Sequence, residues 1–302
     1  MTVGEKPFAG KVAVITGASR NIGKAIATEL VNKGAKVIIG DILDSEGDVT
    51  VRELNDLAGD QVAAYIHTDV TKYSNNAALF QLAEKQFGGV DIAIFNAGIG
   101  SNANTMFMPL DDEMDERMMA VNTTAVIKGN KVAMLHLAKR NGGVIINMAS
   151  AAGLRGTPAV GIYCASKFGV VGWVRSCGIY NAVCNVRVNA VCPTFVETEL
   201  ADALGNAGDQ DPFATLVEKS PKAKVETVIE TVLKFIQEEE RNAQTLVVLP
   251  DGVISDYDQP NPFPESLSKN YPEYLASVQT YSKEAIAYYR KRLAEARERY
   301  GI

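Results

Sequence analysis

The sequence predicts a doubly wound α/β fold: a seven-stranded parallel sheet with helices on both faces, followed by a helical C-terminal extension. Three features carry that reading. Short apolar runs alternate with longer helical patterns, the runs are unbroken Val/Ile/Ala stretches, and a Gly-rich turn directly follows the first of them. Unbroken apolar strands are buried on both faces, as in a parallel sheet. Strands that alternate with helices imply right-handed crossovers and a layered α/β architecture.

The elements follow in order. Val12 to Thr16 reads as the first strand, followed by a helix from about Asn21 to Lys33 that stops at Gly34. Further strands are expected at Lys36 to Gly40, Gln61 to His67, Val90 to Phe95, Val144 to Met148, Val186 to Val191 and Thr245 to Leu249. Between the last two, Val225, Val228, Ile229, Val232, Leu233 and Ile236 recur at helical spacing and form a core stripe. Composition shifts after Val253, which divides the chain into a domain at 1–253 and an extension at 254–302. Asp256 to Pro264 carries three prolines and reads as an extended connector. Beyond it Ser282 can cap a helix running to about Tyr300, with Gly301 past its end.

Composition narrows the function. The chain has 302 residues, 47% hydrophobic and 22% charged, which is ample for a large core. Its formal net charge of -6 and lack of clustered Lys and Arg argue against a nucleic-acid partner. Cys164, Cys177, Cys184 and Cys192 lack metal-type spacing, and His67 and His136 are the two histidines, so no metal site is expected. The same cysteines give no disulfide framework, which fits a reducing, cytoplasmic compartment. The N-terminus lacks an apolar signal core, and no apolar run reaches the roughly 18 residues of a membrane span.

The turn Thr16-Gly17-Ala18-Ser19-Arg20-Asn21-Ile22-Gly23 joins the first strand to the first helix. Backbone N–H groups and the positive end of a helix dipole make such a junction an anion site, here for a dinucleotide pyrophosphate. Gly17 permits the tight turn and Gly23 close helix–strand packing. Asp41 stands just past the second strand, 18 residues after Gly23, where a carboxylate can hold a ribose 2′-hydroxyl. Asp69 and Val70 follow the third strand, where they can meet an adenine ring. Asn96-Ala97-Gly98 follows the fourth, where small residues let the backbone approach a ligand.

Tyr163 and Lys167 stand four residues apart on one helix face, and Ser150 lies thirteen residues before the tyrosine at a strand end. A tyrosine with a pKa of about 10 is a poor proton carrier near neutrality. A lysine one turn away favours its phenolate, and the serine hydroxyl can orient a substrate oxygen. A Tyr-x-x-x-Lys pair arises often by chance, and so does a Gly-rich turn; the whole set in this order does not.

These residues resemble the short-chain dehydrogenase/reductase family, from about Lys11 to Gly252. The family's Tyr-x-x-x-Lys is met by Tyr163 to Lys167 and its catalytic serine by Ser150. The resemblance places a fourth catalytic residue at Asn122, which helps hold a water linked to the lysine. It also implies that Lys167 anchors the cofactor ribose and that the loop holding Pro193, Thr194, Val196 and Thr198 contacts the nicotinamide, with Val196 and Thr198 facing its carboxamide. Val144 to Asn147 and Gly169 to Gly172 resemble the branch of NAD-dependent hydroxyprostaglandin dehydrogenase. Three departures stand out. Asn21 replaces the middle glycine of the turn, although Asn tolerates positive φ; Phe95 replaces the first Asn of Asn-Asn-Ala-Gly; Thr194 replaces a Gly.

The resulting expectation is a Rossmann-type oxidoreductase moving a hydride between a nicotinamide and a secondary alcohol or ketone. Tyr163 is its acid/base, and the region from Glu199 to Lys224 is its substrate wall. NAD is expected over NADP because Asp41 repels a 2′-phosphate, although Arg20 pulls the other way. The resemblance implies a homodimer or homotetramer. The rival reading is a nucleotide-binding regulator or pseudoenzyme on the same fold, and a third is a purely structural partner protein. Between Lys283 and Arg299 six Lys/Arg oppose three Glu. That segment reads either as a solvated basic helix or as one packed on a neighbouring subunit or over the substrate entrance.

Overall fold

A computed structural model of the protein describes residues 6–100, 111–198, 212–257 and 271–302. Eight strands form one sheet: β1 (Val12–Thr16), β2 (Lys36–Asp41), β3 (Ala63–His67), β4 (Ile92–Phe95), β5 (Gly143–Met148), β6 (Val186–Pro193), β7 (Thr245–Val248) and β8 (Ile254–Asp256). Their order is β3-β2-β1-β4-β5-β6-β7-β8. The seven expected strands all form, with ends shifted by up to two residues. The expectation of seven is corrected by β8, which pairs antiparallel with β7. Its three residues are too few to carry a sequence pattern, and β8 takes in Asp256, which the sequence reading gave to the connector.

The helices are α1 (Asn21–Asn32), α2 (Asp44–Ala58), α3 (Tyr73–Phe87), α4 (Asp112–Met119), α5 (Ala125–Lys139), α6 (Gly161–Ser176), α7 (Tyr180–Cys184), α8 (Pro212–Lys219), α9 (Val225–Gln237) and α10 (Tyr271–Tyr300). Successive β1 residues bury on opposite faces. Ala13 and Ile15 join a core with Leu30 of α1 and Val228, Val232 and Phe235 of α9. Val12 and Val14 join the other core with Phe80 of α3, Leu137 of α5 and Val170 of α6. That two-sided burial explains why β1 is apolar at every position up to Thr16.

Polar anchors fix the far half of the sheet. Arg187 of β6 is buried, and its guanidinium donates to the carbonyls of Phe235 at 2.8 Å, Ile236 at 3.3 Å, Glu238 at 3.2 Å and Arg241 at 3.0 Å. It thereby caps the end of α9, where orphan carbonyls and the helix dipole favour a cation. Two helices are tied to β5: Asn130 Nδ2 of α5 donates to Asn147 Oδ1 at 2.7 Å, and Trp173 Nε1 of α6 donates to Asn130 Oδ1 at 3.0 Å.

The extension is longer than its sequence signals implied, because α10 already runs from Tyr271. Thirty residues make a rod about 45 Å long. It lies on its own chain: Tyr289 packs on Tyr180 with ring centroids 5.8 Å apart, and Arg290 donates to Ala182 O at 2.7 Å. Among the described residues no α10 side chain lines the cavity at the carboxyl ends of β1 and β4. Most of the proline-rich connector lies outside the described residues.

Removing the Arg187 fork tests this anchoring. Arg187→Met removes a donor from four carbonyls, that of Phe235 in a buried bond and the others in part-buried ones, and is expected to cost about 1–3 kcal/mol. Urea unfolding reads the loss directly, and an unchanged midpoint would show that the cap carries no stability.

Candidate active site

The chain runs β1, β2, β3 towards one edge of the sheet and then returns beside β1 as β4. That reversal opens a crevice at the carboxyl ends of β1 and β4, the place where doubly wound folds bind ligands. A cavity of about 1430 Å³ lies there.

The Gly-rich turn forms its floor. Gly17 sits at φ +66°, and a Cβ added to it would stand 2.6 Å from Ala97 Cα. Asn21 adopts φ 50°, so the glycine replacement is accommodated as its residue type allows. Arg20, at the N-cap of α1, has no side-chain cap bond, which leaves the first-turn amides to a ligand. A Cβ on Gly23 would lie 2.7 Å from Asn96 Nδ2, so this glycine serves packing and does not line the cavity. Asn96 ties the two strand ends together, donating to Gly17 O at 2.8 Å and Thr16 O at 3.3 Å.

Asp41 closes β2. Its Oδ2 accepts from the Ser19 amide at 3.0 Å, and its Oδ1 from the amides of Ile42 at 2.8 Å and Leu43 at 3.3 Å. Ser19 is therefore a strut for Asp41, buried and off the cavity wall, whereas Gly17, Arg20, Asn21, Ile22 and Asp41 line it. Asp69 and Val70 line it too. Burial pushes the Asp69 carboxyl up, but bonds from the Thr71 hydroxyl at 2.7 Å and amide at 2.9 Å outweigh it and hold the group below its usual range.

Ser150, Tyr163 and Lys167 come together on the opposite wall. Ser150 caps the short 3₁₀ turn Ala151–Gly153, its Oγ accepting from Ala152 N at 3.1 Å. Lys167 Nζ lies 5.6 Å from the Tyr163 ring centroid and donates to Met148 O at 3.0 Å. Asn122 sits behind them, fully buried in a π-helical segment, Ala120–Thr124. Its Oδ1 accepts from Ile99 N at 2.8 Å and its Nδ2 donates to Ile99 O at 2.8 Å. Such π segments are rare and often mark functional sites. A Cβ on Gly98 would stand 3.3 Å from Asn122 Oδ1 and 3.6 Å from Lys167 Nζ, so this glycine lies close against both.

The loop after β6 completes the wall. Pro193, Thr194, Val196 and Thr198 all line the cavity. Thr194 donates its amide and its hydroxyl to Val248 O, each at 3.0 Å, bonds that fix the residue standing where a glycine was expected. Glu199 to Asp211 of the expected substrate wall lie outside the described residues, whereas Phe213, Ser220 and Pro221 of the same region line the cavity. Sequence reading missed Arg117, Arg155 and Val160, also on its wall, and passed over Phe195 inside the loop after β6. The first three belong to no motif.

The electrostatics correct one expectation. Lys167 was expected to draw the Tyr163 pKa down, but burial dominates and pushes the phenol up to about 12, against a hydrogen bond from Ser150. Burial also pulls Lys167 down to about 8. Cys192, buried beside them, is pushed up to about 12 by the same desolvation and stays a thiol.

A crevice at the strand-order reversal, a glycine turn feeding a helix, and a Tyr–Lys–Ser wall define a Rossmann-type oxidoreductase site. Residues 11–208 match the short chain dehydrogenase family. Cis-4-hydroxycyclohexanecarboxylate dehydrogenase of Sinomonas cyclohexanicum is 36% identical over 74% of this chain and 88% of its own. Human NAD(+)-linked 15-hydroxyprostaglandin dehydrogenase is 35% identical over 65% of this chain and 71% of its own. Levodione reductase shares the fold at a TM-score of 0.73 and 23% identity, covering 80% of this chain and 96% of its own. The protein belongs to the short-chain dehydrogenase family and is an oxidoreductase, with the nicotinamide cofactors and small-molecule substrates of that family.

The buried lysine should cost stability. Lys167 has a folded pKa near 8 against 10.5 unfolded, a penalty on the order of 3 kcal/mol that is complete below pH 8. Between those values the unfolded chain binds more protons, so the penalty shrinks as pH rises and vanishes above 10.5. Lys167→Met is therefore expected to raise the unfolding midpoint at pH 7, with a gain that fades towards pH 10. A destabilised variant at pH 7 would contradict it.

Proposed function

We propose that the protein moves a hydride between a nicotinamide cofactor and the carbinol or carbonyl carbon of a small molecule, with Tyr163 as acid/base. The observation that carries this is the shared cavity: Ser150, Tyr163 and Lys167 line the same space as the Gly17–Ile22 turn. The turn fits a dinucleotide, because Gly17 approaches Ala97 too closely for a side chain and the first α1 amides have no cap from Arg20. Gly17, Arg20, Asn21 and Ile22 would hold the pyrophosphate, Asp41 the adenosine ribose, Asp69 and Val70 the adenine, and Asn96 to Gly98 the middle of the cofactor. Lys167 would hold the nicotinamide ribose, and Pro193, Thr194, Val196 and Thr198 the nicotinamide itself. Ser19 and Gly23 would support that site from behind. Bound there, the nicotinamide supplies the hydride donor or acceptor.

The remaining chemistry belongs to the protein. In reduction, Tyr163 as a neutral phenol gives its proton to the ketone oxygen while the carbon gains the hydride, leaving a secondary alcohol. In oxidation the alcohol carbon loses a hydride and its hydroxyl proton passes to the phenolate. Ser150 orients the substrate oxygen, the Lys167 ammonium favours the phenolate, and Asn122 supports the proton path through the Ile99 backbone. The relatives' names, a hydroxycyclohexanecarboxylate and a hydroxyprostaglandin dehydrogenase, support a secondary alcohol as substrate. We further assign the oxidoreductase unit to 1–253, a homodimer or homotetramer as its assembly, and the cytoplasm as its compartment.

Tyr163→Phe keeps the ring and removes the phenolic proton. It is expected to lower turnover roughly 10² to 10⁴-fold while cofactor binding survives. Near-normal turnover, with chemistry rate-limiting, would remove Tyr163 from this role. For the intact enzyme the alcohol-oxidation rate is expected to rise with pH through the alkaline range, because the phenol must first ionise. A flat profile counts against that order of events.

Asp41 leads us to propose NAD over NADP. A carboxylate facing a 2′-phosphate repels it by on the order of 4 kcal/mol at 4 Å and an effective dielectric of 20. Solvent and movement reduce that, yet about 1.4 kcal/mol already gives tenfold. Catalytic efficiencies with the two cofactors decide the matter: parity, or better with NADP, would hand the choice to Arg20.

A further inference from the structure

Arg117 and Arg155 line the same cavity as Ser150 and Tyr163, and the chemistry above gives them no task. Arg117 projects from α4, one turn before the segment that holds Asn122, and Arg155 from the loop that follows Ser150. Both are exposed. Neither guanidinium has an ion-pair or hydrogen-bond partner among the described residues. That sets them apart from Arg187, Arg241, Arg290 and Arg292, which are all engaged by carbonyls or carboxylates.

The α4 helix carries exposed Asp112, Glu113, Asp115 and Glu116 beside Arg117, but none of these four lines the cavity. The acidic residues on the described cavity wall are Asp41 and Asp69, which stand at the ends of β2 and β3 and already accept backbone amides. On the Tyr163 side the wall is apolar: Val160 and Phe213 are buried, and the Phe195 and Phe213 rings meet edge-on at 6.3 Å. A low-dielectric wall bearing unpaired cations of one sign attracts an anion. A guanidinium matches a carboxylate in a two-pronged bond.

We propose that the substrate is a hydroxy or oxo carboxylic acid with an apolar body, its carboxylate held by Arg117 and Arg155 while its carbinol or carbonyl carbon stands at Tyr163. The inference rests on the oxidoreductase reading of that cavity. The arginines are specificity determinants, remote from the reacting bond, so their energy appears as substrate binding and in KM more than in kcat.

The test uses the full-length enzyme with NAD and medium-chain secondary hydroxy acids, each paired with its methyl ester. The acid is expected to exceed the ester in kcat/KM by about tenfold, equivalent to 1.4 kcal/mol, mainly through KM. Added salt should narrow the gap, because exposed charges are screened. Arg117→Gln and Arg155→Gln should each lower the acid-to-ester ratio, the double variant should bring it near one, and Arg155→Lys should restore part of it. An ester used as well as the acid, or a ratio unmoved in the double variant, overturns the proposal. So does a double variant whose main defect is in NAD binding. Calorimetric binding of the corresponding unhydroxylated acid and its ester separates the two readings. Acid-selective binding that is lost in the double variant, with no turnover of any alcohol, would sink the oxidoreductase chemistry and leave the anion site standing. Equal binding of acid and ester sinks the anion site whatever the turnover.

Discussion

The close approach of two strand ends governs this molecule. Where β1 and β4 finish side by side, the Gly17 backbone lies against Ala97 with no room for a side chain, and the Asn96 amide bonds back to Gly17 and Thr16. That contact sets the width of the crevice. It aims the first turn of α1 at the crevice and brings Gly98 to the gap between Asn122 and Lys167. A side chain at 17 would meet the Ala97 backbone and push the two strand ends apart.

Burial and charge compete on the opposite wall. Desolvation raises the Tyr163 phenol and lowers the Lys167 ammonium, so both ionised forms are disfavoured together. The wall keeps them because the surrounding backbone is committed to them: Met148 O accepts from Lys167, and Ile99 bonds Asn122 through both its amide and its carbonyl. Burying two such titratable groups costs stability.

The C-terminal helix raises a different question of placement. The basic segment sits on α7 of its own chain through Tyr289 and Arg290, away from the cavity wall. Its exposed tyrosines, Tyr281 and Tyr288, leave an apolar and basic face towards solvent.

Periodicity and unbroken apolar runs determined the strands, because two-sided burial leaves no other pattern. Spacing alone paired Tyr163 with Lys167, since four residues make one helical turn, and the residue type of Asn21 foretold its positive φ. Tertiary structure decided what depends on distant neighbours. Strand β8 forms because β7 offers an edge, a fact no three-residue pattern carries. Ser19 proved a strut because Asp41 folds back onto its amide. The direction of the tyrosine's pKa shift followed from burial, which only the assembled walls create. Arg117 and Arg155 stand thirty-eight residues apart in the chain and share no motif. They meet one cavity because the sheet reverses its order at β1, and sequence-local signals do not record where such a reversal places a side chain.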